Sequence, residues 1–199
     1  MQSLNSAPDS DAANRRRRSR LTLLLIVAVC AAPIVASYIA YYVWQPGGHV
    51  NYGELLEPRP LPDTPLLAPD GSTSRVSDLK GSWVLLLPDS GRCDERCRTA
   101  LVYMRQIRLA QGKETGRIER VWLLTDEGAP PADVLAGQPG LRVVRGAGSA
   151  VLRVFPDGAA GRIHVVDPLG NLMMRFPPDP DPRRVMRDVT RLLRHSKWK

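Results

Sequence analysis

Residues 82–97 read SWVLLLPDSGRCDERC. Residues 82–88 are a short, continuous apolar run. That pattern predicts a strand buried on both faces, because a strand with one wet face would alternate. From Asp94 to Gln111 the period changes to helical, with apolar residues at Leu101, Met104, Ile107 and Leu109. Cys93 and Cys97 therefore fall five residues beyond a buried strand, at the start of a helix. A four-residue spacing on a helix puts both sulfurs on one face, within reach of each other or of a shared metal ion. The partial positive charge of a helix N-terminus favours a thiolate at Cys93. Arg92, Arg96 and Arg98 push the same way, and Asp94 and Glu95 push against it. The pair is expected to meet solvent where a partner can touch it. The competing reading is a structural disulfide, natural in an oxidising compartment, although a bridge closing so short a loop constrains the unfolded chain little.

Working outward, residues 118–125 (IERVWLLT) predict a second buried strand, 132–135 a short helical turn and 141–145 another short strand. Residues 151–155 suit a helix or a strand. Residues 162–166 and 172–176 form the arms of a hairpin around the tight turn Asp167-Pro168-Leu169-Gly170-Asn171. The closing helix is the clearest element. Asp181 caps it, Pro182 takes the first turn, and Val185, Val189, Leu192 and Leu193 make the apolar stripe. Arg183, Arg184, Arg187, Arg191 and Arg194 lie largely off that stripe, on a solvated face. Upstream, 63–80 reads as a short hairpin turning at Pro69-Asp70-Gly71. Strand, helix, strand, β-hairpin and final helix is the order of a thioredoxin-like α/β domain, here 63–199.

The rest of the 199 residues explains the charge. Lys+Arg 28 against Asp+Glu 20 gives a formal net charge of +8, of which residues 1–20 hold +3 through Arg15, Arg16, Arg17, Arg18 and Arg20. No basic stripe interleaved with base-contacting groups follows, which argues against nucleic acid as a partner. Residues 21–44 contain no charge at all and span about 36 Å as a helix, enough to cross a bilayer core of about 30 Å. Tyr38, Tyr41, Tyr42 and Trp44 at the far end resemble half an aromatic belt, and Pro33 is tolerated with a kink. The arginines before the run place residues 1–20 in the cytoplasm and export the rest. A cleaved signal peptide would have a shorter apolar centre. A lipoprotein at Cys30 would need a smaller residue than Val29 before it. The expected organisation is a basic tail (1–20), a single transmembrane helix (21–44), a Pro/Gly-rich linker (45–62) and the exported domain (63–199), in a bacterial inner membrane facing the periplasm. Cys30, in the anchor, is expected to be inert.

The exported part resembles the Sco/SenC family of thioredoxin-like, membrane-anchored copper-handling factors in cytochrome c oxidase assembly. The resemblance is carried by residues 79–86 before the site, by Cys93 and Cys97 themselves, by Val121 to Glu127 with its acidic end, and by Ile163 to Leu172 with its Pro-x-Gly turn. It implies copper held by Cys93, Cys97 and a histidine, or thiol reduction of copper-binding cysteines in oxidase subunit II. This chain is divergent. Asp94 and Arg98 stand where the family has prolines after its cysteines, and Ala159 stands where the family histidine is expected. The metal set carried over is thus Cys93 and Cys97, for Cu(I), without an identified third ligand. His164 lies five residues along, about 16 Å in a strand, and reads as packing or surface. Met173 and Met174 are soft donors that Cu(I) accepts, of which at most one can face the site. His49 and His195 are assigned no role. The functional expectation is a thiol–disulfide or copper-handling protein acting through Cys93 and Cys97, with oxidase subunit II or another assembly factor as partner. The alternative is a non-catalytic assembly or docking factor with a degenerate thioredoxin-like domain.

Overall fold

The structure is a computed structural model describing residues 9–42, 51–156 and 158–196, and it divides into two units, Met1–His49 and Val50–Lys199. In the first, helix α1 runs Asp9–Tyr42 with Pro33 inside it. Its segment Arg20–Tyr42 has 23 residues, a mean hydropathy of 2.5 and no buried part. A helix with apolar residues exposed all round is one that lipid, not a protein core, solvates. Tyr38 stacks on Tyr42, with ring centroids 5.4 Å apart, and Tyr41 meets Tyr42 edge-on. Trp44 lies outside the described residues. Cys30 is exposed on this helix.

In the second unit the elements follow as β1 (Glu54–Pro60), β2 (Leu66–Leu67), β3 (Thr73–Ser74), β4 (Trp83–Asp89), α2 (Glu95–Leu109), β5 (Ile118–Leu124), α3 (Ala132–Ala136), β6 (Leu141–Arg145), β7 (His164–Val166), β8 (Asn171–Arg175) and α4 (Pro182–His195). Short 3-10 turns occupy Val76–Leu79, Gly112–Arg117 and Leu152–Val154, the last settling the stretch that the sequence left open. Six strands form one mixed sheet in the order β1-β8-β7-β4-β5-β6, and β2 pairs β3 separately. β4, β5 and β6 are parallel, whereas β7 runs antiparallel to β4 and β8 to β7. The α/β thioredoxin-like expectation holds.

The linker expectation for 45–62 does not survive. Residues 45–50 lie outside the described residues, but Glu54–Pro60 is the edge strand β1, paired antiparallel to β8 with a register shift between Leu55 and Arg59. Pro58 and Pro60 hide it from a sequence reading, because proline lacks the ladder donor. An edge strand needs only half its donors, which is where proline is tolerated. All but one of its residues are exposed, so no alternation announces it.

β4 is buried along Trp83–Pro88, as its unbroken apolar run requires. Its side chains alternate between two cores. Trp83, Leu85 and Leu87 pack under α2 and α4, together with Leu101, Met104, Ile107, Val185 and Val189. Val84 and Leu86 face the other way, onto Leu61, Leu66, Val76, Val121 and Phe155, so this face is covered by hairpin and turns instead of a helix. Leu109, expected on the apolar side of α2, is 57% exposed, and Cys97 and Ala100 take the inward positions at the helix start.

Candidate functional site

Both cysteines sit at the carboxyl end of β4, the end of a parallel sheet where loops converge and sites are built. After Asp89, the chain turns through Ser90, Gly91 and Arg92, and the Cys93 N–H donates to the Ser90 carbonyl at 3.2 Å. Cys93 has φ 48°, a left-handed conformation that a residue with a Cβ adopts only when its surroundings impose it. Asp94 is the N-cap of α2, its carboxylate accepting from the Cys97 N–H at 3.0 Å. Cys93 therefore precedes the helix, and Cys97 lies in its first turn. The two are joined as a disulfide with Cα atoms 5.1 Å apart. The turn and cap bring the sulfurs together, whereas the spacing argument had placed both on one helix face.

The expectation that these sulfurs meet solvent is overturned: Cys93 is 2% exposed and Cys97 0%. Cys97, Leu101 and Met104 occupy successive inward positions of α2, so the helix carries the Cys97 sulfur into the core, and the bond draws Cys93 after it. Arg92 and Arg96 remain exposed around the buried bridge, and Arg98 turns to Asp133 at 2.6 Å.

What seats the turn comes from 35 residues away. The Asp126 carboxylate, just past β5, accepts from Ser90 Oγ at 2.6 Å, from the Gly91 N–H at 2.9 Å and from the Gly128 N–H at 2.9 Å. These bonds, led by the Ser90 hydroxyl, hold its pKa below the usual carboxylate range. Asp89 is pushed the other way, chiefly by burial and then by the neighbouring charges of Asp94 and Asp126. The sequence showed an acidic end here. Its role was not legible, because its partners Ser90 and Gly91 are brought to it only by the parallel β4–β5 pairing. Replacing Asp126 with alanine is expected to cost about 2 kcal/mol through the stranded donors. It should also speed reduction of the Cys93–Cys97 bond by dithiothreitol, and a thiol-labelling time course in folding buffer checks this.

Of the other expected residues, none joins the pair. His164 pairs across the sheet with Leu86, on the face opposite the disulfide. Its Nδ1–H donates to the Arg162 carbonyl at 2.9 Å, and Phe155 packs edge-on at 5.0 Å. Met174 is fully buried on the helix side, with Met173 only partly buried. Ala159 is buried on the His164 side of the sheet. His195 is exposed on the last turn of α4, and His49 lies outside the described residues. Among the described residues there is no group of three His, Cys, Asp or Glu able to hold a metal ion. The donor set thus fits two soft ligands on a reduced pair and does not build a three-ligand site. Beside the first turn of α2 lies a groove of about 430 Å³, lined by Glu95, Arg96, Tyr103, Gly161 and Asp179 among others.

Among curated proteins, none matches this chain. Among solved structures, the fold is similar to that of Sco proteins from several organisms. Copper-bound ScoI from Bradyrhizobium japonicum is 21% identical, with a TM-score of 0.53 over 67% of this chain and 99% of that one. Apo Sco1 from Thermus thermophilus is 22% identical, with a TM-score of 0.57 over 73% and 99%. Copper-bound yeast Sco1 is 15% identical, with a TM-score of 0.58 over 71% and 96%. The Sco resemblance read from residues 79–172 is therefore borne out as a likeness of fold. A family model described as a transmembrane-like N-terminal domain matches residues 14–43, in keeping with α1 as a membrane anchor. A second, described as a transmembrane-like, thioredoxin-like C-terminal domain, matches residues 83–196, more than half the chain and the whole of the cysteine site. This chain belongs to that transmembrane-like, thioredoxin-like family.

Proposed function

We propose that this protein is a membrane-anchored thiol–disulfide protein whose Cys93–Cys97 pair exchanges electrons with cysteines of a partner in cytochrome c oxidase assembly, either oxidase subunit II or another assembly factor. The observation that carries the reading is the disulfide itself, formed at a strand-to-helix junction of a thioredoxin-like fold. The arginines at 15–18 and 20, ahead of the apolar segment, support an N-terminus in the cytoplasm of a bacterial cell and a periplasmic domain. In the reduced protein the Cys93 thiolate attacks one sulfur of the partner's disulfide, and the other partner sulfur leaves and takes a proton. The Cys97 thiolate then attacks Cys93 in the mixed disulfide. That step releases the second partner thiol and re-forms the Cys93–Cys97 bond, so that two electrons pass to the partner. Because both sulfurs are buried, exchange requires the 90–93 turn to lift from the Asp126 carboxylate. Copper enters as cargo: the reduced sulfurs offer Cu(I) two soft donors, with a third from the partner, a reading supported by the copper-bound Sco structures.

Cys97→Ser keeps the attacking sulfur and removes the resolving one, so it is expected to accumulate a mixed disulfide with the partner in membranes, seen on non-reducing gels. Cys93→Ser is expected not to. No adduct in either variant, or a reduction potential below about −300 mV, refutes the exchange reading. Titrating the reduced protein with Cu(I) against a chelator tests the cargo reading: one equivalent should be held, and none by the double-serine variant. The burial of both sulfurs favours a second reading, a docking factor whose disulfide is a staple. Full oxidase assembly in cells carrying Cys93→Ser and Cys97→Ser would establish it.

A further inference from the structure

The arginine face of α4 is not used by the disulfide chemistry. Arg183, Arg187 and Arg194 recur at i, i+4 and i+11, which places them on one line along the helix. All three are exposed, as is Arg184. Among the described residues none of these four has a carboxylate within 4.0 Å, the ion pair on this helix being Arg191–Asp188 at 3.9 Å. Asp188, the helix's one acidic residue, is 3% exposed and turned inward. The outer face is therefore cationic without internal compensation, and on a helix whose other side is firmly packed.

The same helix holds the first described residues after the anchor. Asp188 accepts from the Tyr52 N–H at 2.7 Å and the Gly53 N–H at 2.9 Å. Arg191 Nη1 donates to Asn51 Oδ1 at 3.1 Å. The Asp181 N–H donates to the Tyr52 hydroxyl at 3.1 Å, and the Arg184 guanidinium lies over the Tyr52 ring at 4.0 Å. Residues 51–53 are thus clasped along α4, and only residues 43–50 separate them from the end of α1. A chain that short spans at most about 30 Å. Residues 51–53 lead directly into β1, and α4 is the helix they are clasped to, so this short tether joins both elements to the anchor.

We propose that the Arg183–Arg187–Arg194 face of α4 docks on anionic phospholipid headgroups of the membrane in which α1 is anchored. Each guanidinium near an anionic surface adds to the attraction, and the attraction fades beyond a screening length of about 8 Å at physiological salt. Arginine also binds lipid phosphates through paired N–H donors. The inference rests on α1 spanning the bilayer and is independent of the redox reading.

The test uses the full chain with Cys30→Ser and the Cys93–Cys97 bond kept oxidised, reconstituted in nanodiscs. A donor dye is placed at His195→Cys on α4 or, for comparison, at Ser72→Cys on the β2–β3 turn, and the acceptor is a headgroup-labelled lipid. Moving from phosphatidylcholine alone to about 30% phosphatidylglycerol is expected to raise energy transfer from position 195 at least about twofold relative to position 72. Salt at about 0.5 M should reverse the gain, and the triple variant R183Q, R187Q, R194Q should abolish it. Equal transfer in both lipids, or a gain that persists in the triple variant, overturns the proposal. So does release of the chain by alkaline carbonate, which would remove the anchor itself. Charge-dependent capture of an acidic protein, without any response to phosphatidylglycerol, reassigns the face to that partner and overturns the lipid assignment.

Discussion

Gly91→Ala is expected to lower the unfolding free energy of the 50–199 unit by about 3 kcal/mol and to expose the disulfide to reductant. A Cβ built on Gly91 overlaps the carbonyl oxygen of Gly128 and comes to 3.0 Å from its Cα, both backbone atoms that no rotamer change can move. The loops cannot simply part, because the Asp126 carboxylate holds the Gly91 and Gly128 N–H groups together at 2.9 Å each. Relief therefore costs those bonds as well as the overlap. Gly116 is the control: it has no neighbour within 4 Å of an added Cβ and no left-handed φ, so Gly116→Ala should stay within about 0.5 kcal/mol of the parent. In urea, with a slope near 2 kcal/mol/M, the Gly91 variant should unfold about 1.5 M earlier. Tryptophan fluorescence reads this through Trp83 and Trp122, both buried in the core. Coincident midpoints for the two variants would mean that the β4–α2 turn is not seated on the β5–α3 loop.

That seating also marks the limit of what the sequence discloses. β4, β5, α2 and α4 were legible because their burial is periodic or continuous within one segment: β4 is Trp83–Asp89 where 82–88 was read, and Asp181 caps α4 through the Arg183 N–H at 2.9 Å. β1 was not legible, since Glu54–Pro60 owes its place to pairing with β8, more than a hundred residues later, and its side chains face water. The cysteine pair was found, but its burial was not. Spacing says that two sulfurs can meet; only the Asp126 carboxylate and the Gly91–Gly128 approach say on which side of the surface they do so. His164 shows the same division. Alternation along β7 fixes that it lies on the face opposite Val165, while the identity of that face comes from the Leu86 pairing. A third copper donor was beyond its reach for that reason.

His164 should make the protein acid-sensitive well above the range of ordinary carboxylates. Burial against Phe155 lowers its pKa from 6.5 to about 4, outweighing the Arg162 carbonyl that favours the charged ring. With Nδ1–H already donated to that carbonyl, the proton would enter at Nε2, a buried nitrogen with no hydrogen-bond partner among the described residues. Between pH 6.5 and about 4 the unfolded chain therefore binds a proton that the native state refuses. Stability must fall as pH falls through this window and is fully present only above it. A shift of this size corresponds to about 3 kcal/mol lost by pH 4. Asp89 works in the opposite sense, since its raised pKa makes the native state the better proton acceptor at the acid end of the same window. The observed slope is the difference of the two, and substitution separates them. His164→Leu, a neutral side chain of similar size in an apolar pocket, should remove the loss between pH 6.5 and 5, while Asp89→Asn should steepen it. Urea midpoints at half-unit pH intervals give both slopes. An unchanged profile in His164→Leu, alongside a native imidazole that titrates near 6.5 by NMR, would show that the ring reaches water and that the Leu86 face of the sheet is open.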